Sequence, residues 1–237
     1  MPTFSVIIPA FDEEKFLPKT IEAIRKAEKF LGEDVQIVVG DNMSNDNTRE
    51  VAESMGAEVI KVEQRCISTV RNLAAAQASG TYLVFCDADD CISEDAFVHI
   101  KAAMETGKWI GGGMRDTRYD RKSFGITLTH GFVKHSLSLT GLSMFLFYTS
   151  KETFDAIGGF NEELLSTEDF DFARKMKKYG KTLGKRYCNL KKGYLVKSSR
   201  KFDEYGDYMI FKRPLYFVRA CFNDPKVVYE LWYKPRR

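Results

Sequence analysis

The stretch Tyr82-Leu83-Val84-Phe85-Cys86-Asp87-Ala88-Asp89-Asp90 joins a short apolar run to three carboxylates. Its first four residues are of β-forming type and predict an inner strand of a parallel sheet. The acidic residues follow at the carboxyl end of that strand, where open α/β sheets bind their ligands. Asp87 and Asp89 can hold a hard divalent cation such as Mg²⁺ or Mn²⁺, which commonly bridges phosphate oxygens. A solvated acidic turn is the alternative, and a motif this short does not decide between the two.

Length and composition indicate an ordinary globular enzyme-sized domain. The chain has 237 residues, of which 44% are hydrophobic and 29% charged, and these values suit one large soluble domain. A net charge of +3 is too small to argue for nucleic acid. The five cysteines contain no C-x-x-C pair, which argues against a zinc module and favours a reducing compartment. Without a visible signal peptide or membrane span, we expect a cytoplasmic protein that can still meet the inner face of a membrane.

Strand and helix patterns alternate through the first half of the chain. Apolar strands are predicted at 5–8, 35–39, 58–62, 82–85 and 109–110, and a helical pattern follows each of the first four. This alternation predicts a doubly wound, mainly parallel sheet with right-handed crossovers. The second half loses the rhythm: 115–140 resists assignment, 142–148 reads as a strand, and Ser150 is a candidate cap for a short helix.

Charged side chains follow the predicted strands at their carboxyl ends. Asp12 and Glu14 follow the first strand, Asp41 the second, and Asp87 and Asp89 the fourth, while Arg65 and Arg71 flank the third connection. Because these ends meet at one edge of a parallel sheet, we expect the side chains to converge on one crevice.

Four runs of sequence resemble the successive motifs of family 2 glycosyltransferases with the GT-A fold. They are SVIIPAFDEE at 5–14, VVGDNMSNDNT at 38–48, R-x5-RNLAAAQASGTYLVFCDADD at 65–90 and GGFNEELLSTEDFDFARKMKKYG at 158–180. The resemblance implies a Rossmann-like, mainly parallel central sheet flanked by helices in a single domain spanning 1–237. Within it we expect a nucleotide-sugar-binding half at 1–113, an acceptor and catalytic half at 114–207, and a basic aromatic tail at 208–237.

The resemblance assigns the donor site residue by residue. The first nucleotide-contact loop matches Pro9, Ala10, Phe11 and Asp12. Asp41 matches the acidic residue that accepts hydrogen bonds from the base, usually uracil. Most relatives continue with Asp-Gly-Ser, whereas Asn42-Met43-Ser44 follows here, which leaves the base open. Without the resemblance, core packing would explain Phe11 and turn formation would explain Asp41.

The phosphate side of the site is assigned in the same way. Arg71 matches an arginine close to the nucleotide and its phosphates. Asp87, Ala88 and Asp89 match the turn that contacts ribose and phosphate, with Asp87 and Asp89 as ligands of Mg²⁺ or Mn²⁺. Arg200 lies in a basic segment, 198–201, that could close over the phosphates, and a solvated basic turn is its alternative.

A second chemical centre is expected at Glu168 and Asp169. Ser166 or Thr167 can cap a helix whose first turn carries both acids, and complementing the helix dipole is a sufficient structural reason for them. The resemblance makes Asp169 the general base of an inverting transfer and Glu168 a residue that orients the acceptor. We expect the helix amino terminus to keep Asp169 ionised.

These assignments predict an inverting, metal-dependent glycosyltransferase. The expected donor is a nucleoside-diphosphate sugar, UDP before GDP, and the acceptor is a hydroxyl of a glycan, a lipid-linked sugar or a polysaccharide precursor. The basic aromatic tail predicts peripheral membrane contact, with packing onto the domain as its alternative. Two other functions remain open, a nucleotidyltransferase on a similar sheet and a non-catalytic nucleotide-sugar-binding protein.

Overall fold

A seven-stranded sheet forms the centre of the protein. The computed structural model describes residues 2–142, 145–215, 219, 222 and 224–230. The strands of this sheet are β1 (Phe4–Ala10), β2 (Val35–Asp41), β3 (Glu58–Lys61), β4 (Tyr82–Phe85), β6 (Trp109–Met114), β8 (Phe145–Ser150) and β9 (Arg186–Leu190). Their order is β3-β2-β1-β4-β8-β6-β9, and only β8 runs antiparallel to its neighbours. The predicted mainly parallel α/β sheet is therefore confirmed.

A smaller sheet borders the acidic turn. It contains β5 (Cys91–Ile92), β7 (Thr117–Tyr119) and β10 (Leu195–Lys197), with β10 in the middle. Strand β10 runs antiparallel to β5 and parallel to β7. Because β5 begins directly after Asp90, this pairing brings the end of β10 next to the three carboxylates.

Ten helices are described around the two sheets. They are α1 (Leu17–Leu31), α2 (Thr48–Ser54), α3 (Ile67–Ala76), α4 (Ala96–Glu105), α5 (Phe124–Thr140), α6 (Lys151–Ala156), α7 (Glu168–Thr182), α8 (Arg200–Tyr205), α9 (Met209–Lys212) and α10 (Pro225–Val228). The sequence did not predict α5, because Gly, Thr and His residues of modest helix propensity interrupt its apolar pattern. Among the described residues, no helix is both long enough and apolar enough to cross a bilayer.

The core lies on both faces of the large sheet. Phe4, Val6 and Ile8 of β1 pack into one cluster with α1 and α4, and Ile7 packs into a second cluster with α3, α6 and α7. Successive residues of a strand point to opposite faces, so one strand serves both clusters. This arrangement explains why the strands of the first half read as continuous apolar runs rather than as alternating patterns.

Gly40 allows α3 to pack closely against the end of β2. A Cβ atom at position 40 would lie 2.5 Å from Cγ1 of Val70 and 3.3 Å from the Val70 carbonyl oxygen. Val70 is buried, and its β-branched side chain has little freedom to move aside. The contact sets the distance between Asp41, which follows Gly40, and Arg71, which follows Val70.

We expect Gly40→Ala to lower the free energy of unfolding by about 1–3 kcal/mol, because the new methyl group overlaps Val70. The measurement is chemical denaturation of four proteins: the wild type, each single variant and the Gly40→Ala/Val70→Ala double variant. Val70→Ala removes the nearest atom, so the alanine at position 40 should cost less in that background. An equal cost in both backgrounds would show that the overlap is not the cause.

Candidate active site

The guanidinium of Arg71 joins the acidic turn to the second acidic centre. Its Nη1 donates to Asp169 Oδ1 at 2.7 Å, and its Nη2 donates to Asp87 Oδ1 at 3.1 Å. Glu168 Oε1 lies 3.5 Å from the same Nη1. Arg71 is buried, with its side chain 6% exposed, and stacks over the ring of Phe160. Helix α3 thus places one cation between the residue predicted to hold metal and the residue predicted to act as base.

The two acids at the start of α7 differ in their access to solvent. The side chain of Asp169 is 33% exposed, whereas that of Glu168 is 9% exposed and faces Arg71. Asp169 is therefore the more accessible of the two carboxylates. Sequence reasoning expected Glu168 to orient the acceptor, and in the structure its side chain is buried beside Arg71.

The surroundings change the protonation of these groups. Burial raises the pKa of Asp169, and Arg71 only partly opposes this effect. Burial and the neighbouring Asp169 raise the pKa of Glu168 to about 7. The expectation that the helix amino terminus keeps Asp169 ionised is therefore corrected: Thr167 makes no side-chain cap, and the charged partner is Arg71. For Arg71 itself, three carboxylates outweigh burial and raise its pKa.

Asn72 connects α3 to the segment that precedes α7. Its amide donates to the carbonyl of Phe160 and to Glu162 Oε1, and its side-chain oxygen accepts from the Phe160 amide. Thr69 donates to the other carboxylate oxygen of Glu162. Gly159 has a φ of +58°, and a Cβ there would lie 2.5 Å from Asn72 Oδ1. The Arg71-Asn72 motif therefore contacts the Gly-Gly-Phe-Asn-Glu motif at 158–162 directly. Sequence reasoning did not predict this role for Asn72.

Lys197 of β10 brings a second, partly buried cation to the acidic turn after β4. Lys197 Nζ lies 2.6 Å from Asp90 Oδ2 and 3.6 Å from Asp87 Oδ2. Burial alone would raise the pKa of Asp87. Lys197 and Arg71 outweigh burial and hold that pKa well below its usual range. Sequence reasoning did not identify Lys197 as a site residue. Ala88 is buried, and its carbonyl accepts from Thr20 of α1, which anchors the turn.

Arg200 crosses from the acidic turn to the first loop. Its two terminal nitrogens bind Glu13 at 2.7 and 2.6 Å, and its Nε lies 2.9 Å from Asp89 Oδ2 without hydrogen-bond geometry. The predicted basic lid segment therefore reaches the rim of the site, with its guanidinium paired to carboxylates. Glu13, the bidentate partner, was not among the predicted site residues.

Asp87 and Asp89 fit a divalent cation as a pair. Asp87 Oδ2 and Asp89 Oδ1 accept no hydrogen bond from any described residue. Hard carboxylate oxygens of this kind are the ligands that Mg²⁺ and Mn²⁺ prefer. Within the described ranges no group of three His, Cys, Asp or Glu residues is suited to hold a metal. A bound ion would therefore need oxygens from substrate or water, which is usual for magnesium on phosphate.

The first and second loops form one hydrogen-bonded unit. The Asp12 amide donates to Ser44 Oγ, the Ser44 amide donates to Asp41 Oδ1, and the Asn45 amide donates to Asp12 Oδ1. Asp41 is buried, and its Oδ2 has no hydrogen bond to a described residue. The loop thus presents one unused carboxylate oxygen at the end of β2.

An aromatic surface lies beside this loop. Arg65 stacks over the ring of Phe11, with 5.0 Å between Cζ and the ring centroid. Pro9 and Ala10 end β1 and lead into the ring of Phe11. The partial exposure of Phe11 leaves its ring able to meet a flat ligand, rather than being enclosed in the core.

Met43 explains how the chain departs from the Asp-Gly-Ser pattern without losing the loop. Its φ of +62° lies in the left-handed region, which glycine adopts without strain. Methionine keeps the same conformation here, while Asn42 anchors the loop by donating to the carbonyls of Val62 and Gln64. Met43 thus takes a left-handed conformation at the position where the Asp-Gly-Ser pattern has glycine.

Comparison with known proteins identifies this arrangement. The fold is the GT-A fold of solved glycosyltransferases. Staphylococcus aureus TarS 1-349 in complex with UDP-GlcNAc has a TM-score of 0.61 and 20% identity, covering 82% of this chain and 58% of that one. The mannosyltransferase PcManGT of Pyrobaculum calidifontis, in complex with GDP-Man and Mn²⁺, has a TM-score of 0.61 and 14% identity, covering 100% of this chain and 76% of that one. At these identities the likeness shows the fold alone.

The family follows from the sequence match. The profile of Glycosyl transferase family 2 matches residues 5–161, and the chain belongs to that family. The poly(ribitol-phosphate) beta-N-acetylglucosaminyltransferase TarS of Staphylococcus aureus is 27% identical in an alignment 191 residues long, which covers 74% of this chain. The chain spans about a third of the length of that relative, 32%. The predicted family is confirmed, and Glu168 and Asp169 lie beyond the matched segment.

The raised pKa of Glu168 predicts a pH-dependent stability. Its value of about 7 in the folded protein exceeds the ordinary 4.5. The protonated carboxyl therefore favours folding below pH 4.5, and that contribution is lost as the pH rises through about 7. Glu168→Gln imitates the protonated form, so the variant should unfold less readily than the wild type at about pH 8, by about 1–3 kcal/mol.

The two proteins should converge at low pH, where the wild-type residue is also uncharged. Denaturation curves across this range test the expectation, with the exposed Glu163→Gln as the control that should follow the wild type throughout. A Glu168→Gln protein with a lower free energy of unfolding than the wild type at every pH would refute this prediction, because the carboxylate would then be stabilising.

Proposed function

We propose that this chain transfers a sugar from a nucleoside-diphosphate sugar to a hydroxyl acceptor with inversion at the anomeric carbon. The observation that carries the proposal is the pairing of Asp87 and Asp169 on the single guanidinium of Arg71. A site for the leaving diphosphate and a solvent-accessible base thereby lie side by side. Membership of the family supports the same reaction.

Asp169 would act as the general base. Its carboxylate would accept the proton of the acceptor hydroxyl as that oxygen bonds to the anomeric carbon, while the bond from that carbon to the diphosphate oxygen breaks. A raised pKa suits this task, because a more basic carboxylate takes the proton more readily. Arg71 would hold the carboxylate in place through its hydrogen bond to Asp169 Oδ1.

Asp87 and Asp89 would hold Mg²⁺ or Mn²⁺ together with the diphosphate. When bound, such an ion stabilises the negative charge of the departing diphosphate. The presence of Mn²⁺ in the solved mannosyltransferase complex supports this assignment. Arg200, now paired with Asp89 and Glu13, would bind the phosphates of the donor through its guanidinium.

The donor we propose is a UDP sugar in preference to a GDP sugar. Asp41 would accept from the base through its unused Oδ2, and Phe11 would stack on the base, within the loop formed by Pro9, Ala10 and Asp12. The hydrogen bond from the Ser44 amide to Asp41 Oδ1, which leaves Oδ2 unused, supports a base contact at Asp41. A related fold crystallised with UDP-GlcNAc agrees with the preference for uridine.

The acceptor we propose is a hydroxyl of a glycan, either a polysaccharide precursor or a lipid-linked sugar, used at the inner face of the membrane. The similarity to a poly(ribitol-phosphate) beta-N-acetylglucosaminyltransferase supports a polymeric acceptor. The 33% exposure of Asp169 supports an acceptor that arrives from solvent at the rim, rather than through a closed cavity.

Asp169→Asn should lower turnover by about 10²–10⁴-fold, because an amide cannot accept the proton. Donor binding in the presence of Mn²⁺, measured by calorimetry, should change little, since the donor contacts lie elsewhere. The matched control is Asp171→Asn, in the same helical turn but paired with Arg174 at 3.2 Å, which should keep its turnover. Full activity of Asp169→Asn in donor hydrolysis or transfer would remove the proposed base.

Arg200→Ala should weaken donor binding by about tenfold or more, because charge-assisted hydrogen bonds to phosphate are lost. The measurement is the Kd of the nucleotide sugar with Mn²⁺ present, together with kcat. Lys192→Ala, an exposed lysine on the neighbouring turn, is the control. Unchanged donor affinity and turnover in Arg200→Ala would assign Arg200 to structure alone.

A further inference from the structure

The exposed face of α5 is apolar. Phe124, Leu128 and Phe132 recur every four residues and are 77%, 46% and 53% exposed. Residues at this spacing share one face of a helix, so they form a continuous ridge. The opposite face carries Ile126 and Thr129, which are buried against the domain. A helix with its apolar residues on the outside is the reverse of what a solvated surface favours.

The segment after α8 extends this ridge. Phe211 of α9 meets Phe132 edge to face, with 5.7 Å between ring centroids, and Leu215 is 76% exposed. A groove of about 480 Å³ runs between α5 and Phe211. We call these five residues, Phe124, Leu128, Phe132, Phe211 and Leu215, the α5 surface. The membrane contact predicted for the tail concerned 208–237, of which 216–218, 220–221, 223 and 231–237 lie outside the described residues.

Positive charge surrounds the α5 surface. The segments 121–135 and 208–215 contain five basic residues and no acidic ones, although the whole chain has 36 basic and 33 acidic residues. Arg121 pairs with Asp203 and Asp207, while Lys122, Lys212 and Arg213 are exposed. The local excess is therefore a property of this surface and not of the chain, and it complements a negatively charged partner.

We propose that the α5 surface docks on an anionic lipid bilayer. The aromatic and leucine side chains would enter the boundary of the acyl chains, and the basic residues around them would meet the headgroups. Both parts are needed, because apolar area supplies the insertion while the charges select anionic lipid. This proposal concerns binding alone and does not depend on the proposed sugar transfer.

The placement of α5 connects the docked face to the rim of the candidate site. On its inner side, His130 pairs with Thr117 of the small sheet at 2.6 Å and contacts the ring of Phe145. Lys197, which faces the acidic turn, lies over the other side of that contact, with its Nζ 5.8 Å from the Phe145 centroid. Side-chain contacts through His130, Phe145 and Lys197 thus connect the docked helix to the acidic turn.

Flotation with vesicles of phosphatidylcholine, with and without phosphatidylglycerol, tests the proposal on the intact chain. We expect binding only to the vesicles that contain phosphatidylglycerol, weakened by added salt. Phe124→Ser/Phe132→Ser should reduce the bound fraction by about tenfold or more, since two large apolar groups no longer insert. Phe30→Ser is the matched control, because Phe30 on α1 is 59% exposed and lies outside this surface.

A charge-reversal pair separates the basic component. Lys122→Glu/Arg213→Glu should abolish the preference for phosphatidylglycerol, whereas Lys26→Glu/Lys29→Glu on α1 should leave it intact. Equal binding to both kinds of vesicle, or equal loss in the α5 and control variants, would overturn the proposal. So would a soluble dimer that Phe124→Ser/Phe132→Ser dissociates, because the α5 surface would then bind a second copy. Circular dichroism confirms that each variant is folded.

Discussion

The structure of the candidate site depends on the pairing of one buried guanidinium. Removing a cation from water is costly unless carboxylates replace the lost hydration, and Arg71 meets this requirement with Asp87, Glu168 and Asp169. Two of these acids begin α7 and the third follows β4, so the pairing fixes both elements against α3. The Asn72 contacts hold the same elements by neutral hydrogen bonds. The Arg71 pairing thus affects both the positions of α3, α7 and the end of β4 and the charge of the site.

Two cations partly offset the four carboxylates at the rim of the site. Lys197 faces Asp90 and Asp87, and Arg200 faces Asp89 and Glu13, so each acidic group lies beside a cation. Carboxylates crowded at a sheet edge would otherwise repel one another. A divalent ion with a diphosphate would exchange for these internal pairs instead of entering an uncompensated site. The Arg200 contact with Asp89 lacks hydrogen-bond geometry, whereas the contact with Glu13 is bidentate.

The second half of the chain completes the domain rather than forming a separate one. Strand β8 enters the large sheet between β4 and β6, antiparallel to both, and β10 forms the centre of the small sheet. The same half supplies α7 to the rim and α5 to the outer surface. The acidic rim and the apolar α5 surface therefore belong to one packed unit, connected through His130 and Phe145.

The sequence by itself determined the alternation of strands and helices in the first half and the acidic residues at the strand ends. Both are local properties, since a run of apolar residues and the residue that follows it are adjacent in the chain. The sequence did not predict the left-handed conformation of Met43 or helix α5, because the residues at these positions have low intrinsic propensity for those conformations. Only the tertiary structure decided that Arg71 binds both Asp87 and Asp169 and that Lys197 binds Asp90. Arg71 and Asp169 are 98 positions apart in the chain, and Asp90 and Lys197 are 107 positions apart. Packing of whole helices and strands brings them together, and no local sequence pattern encodes that packing.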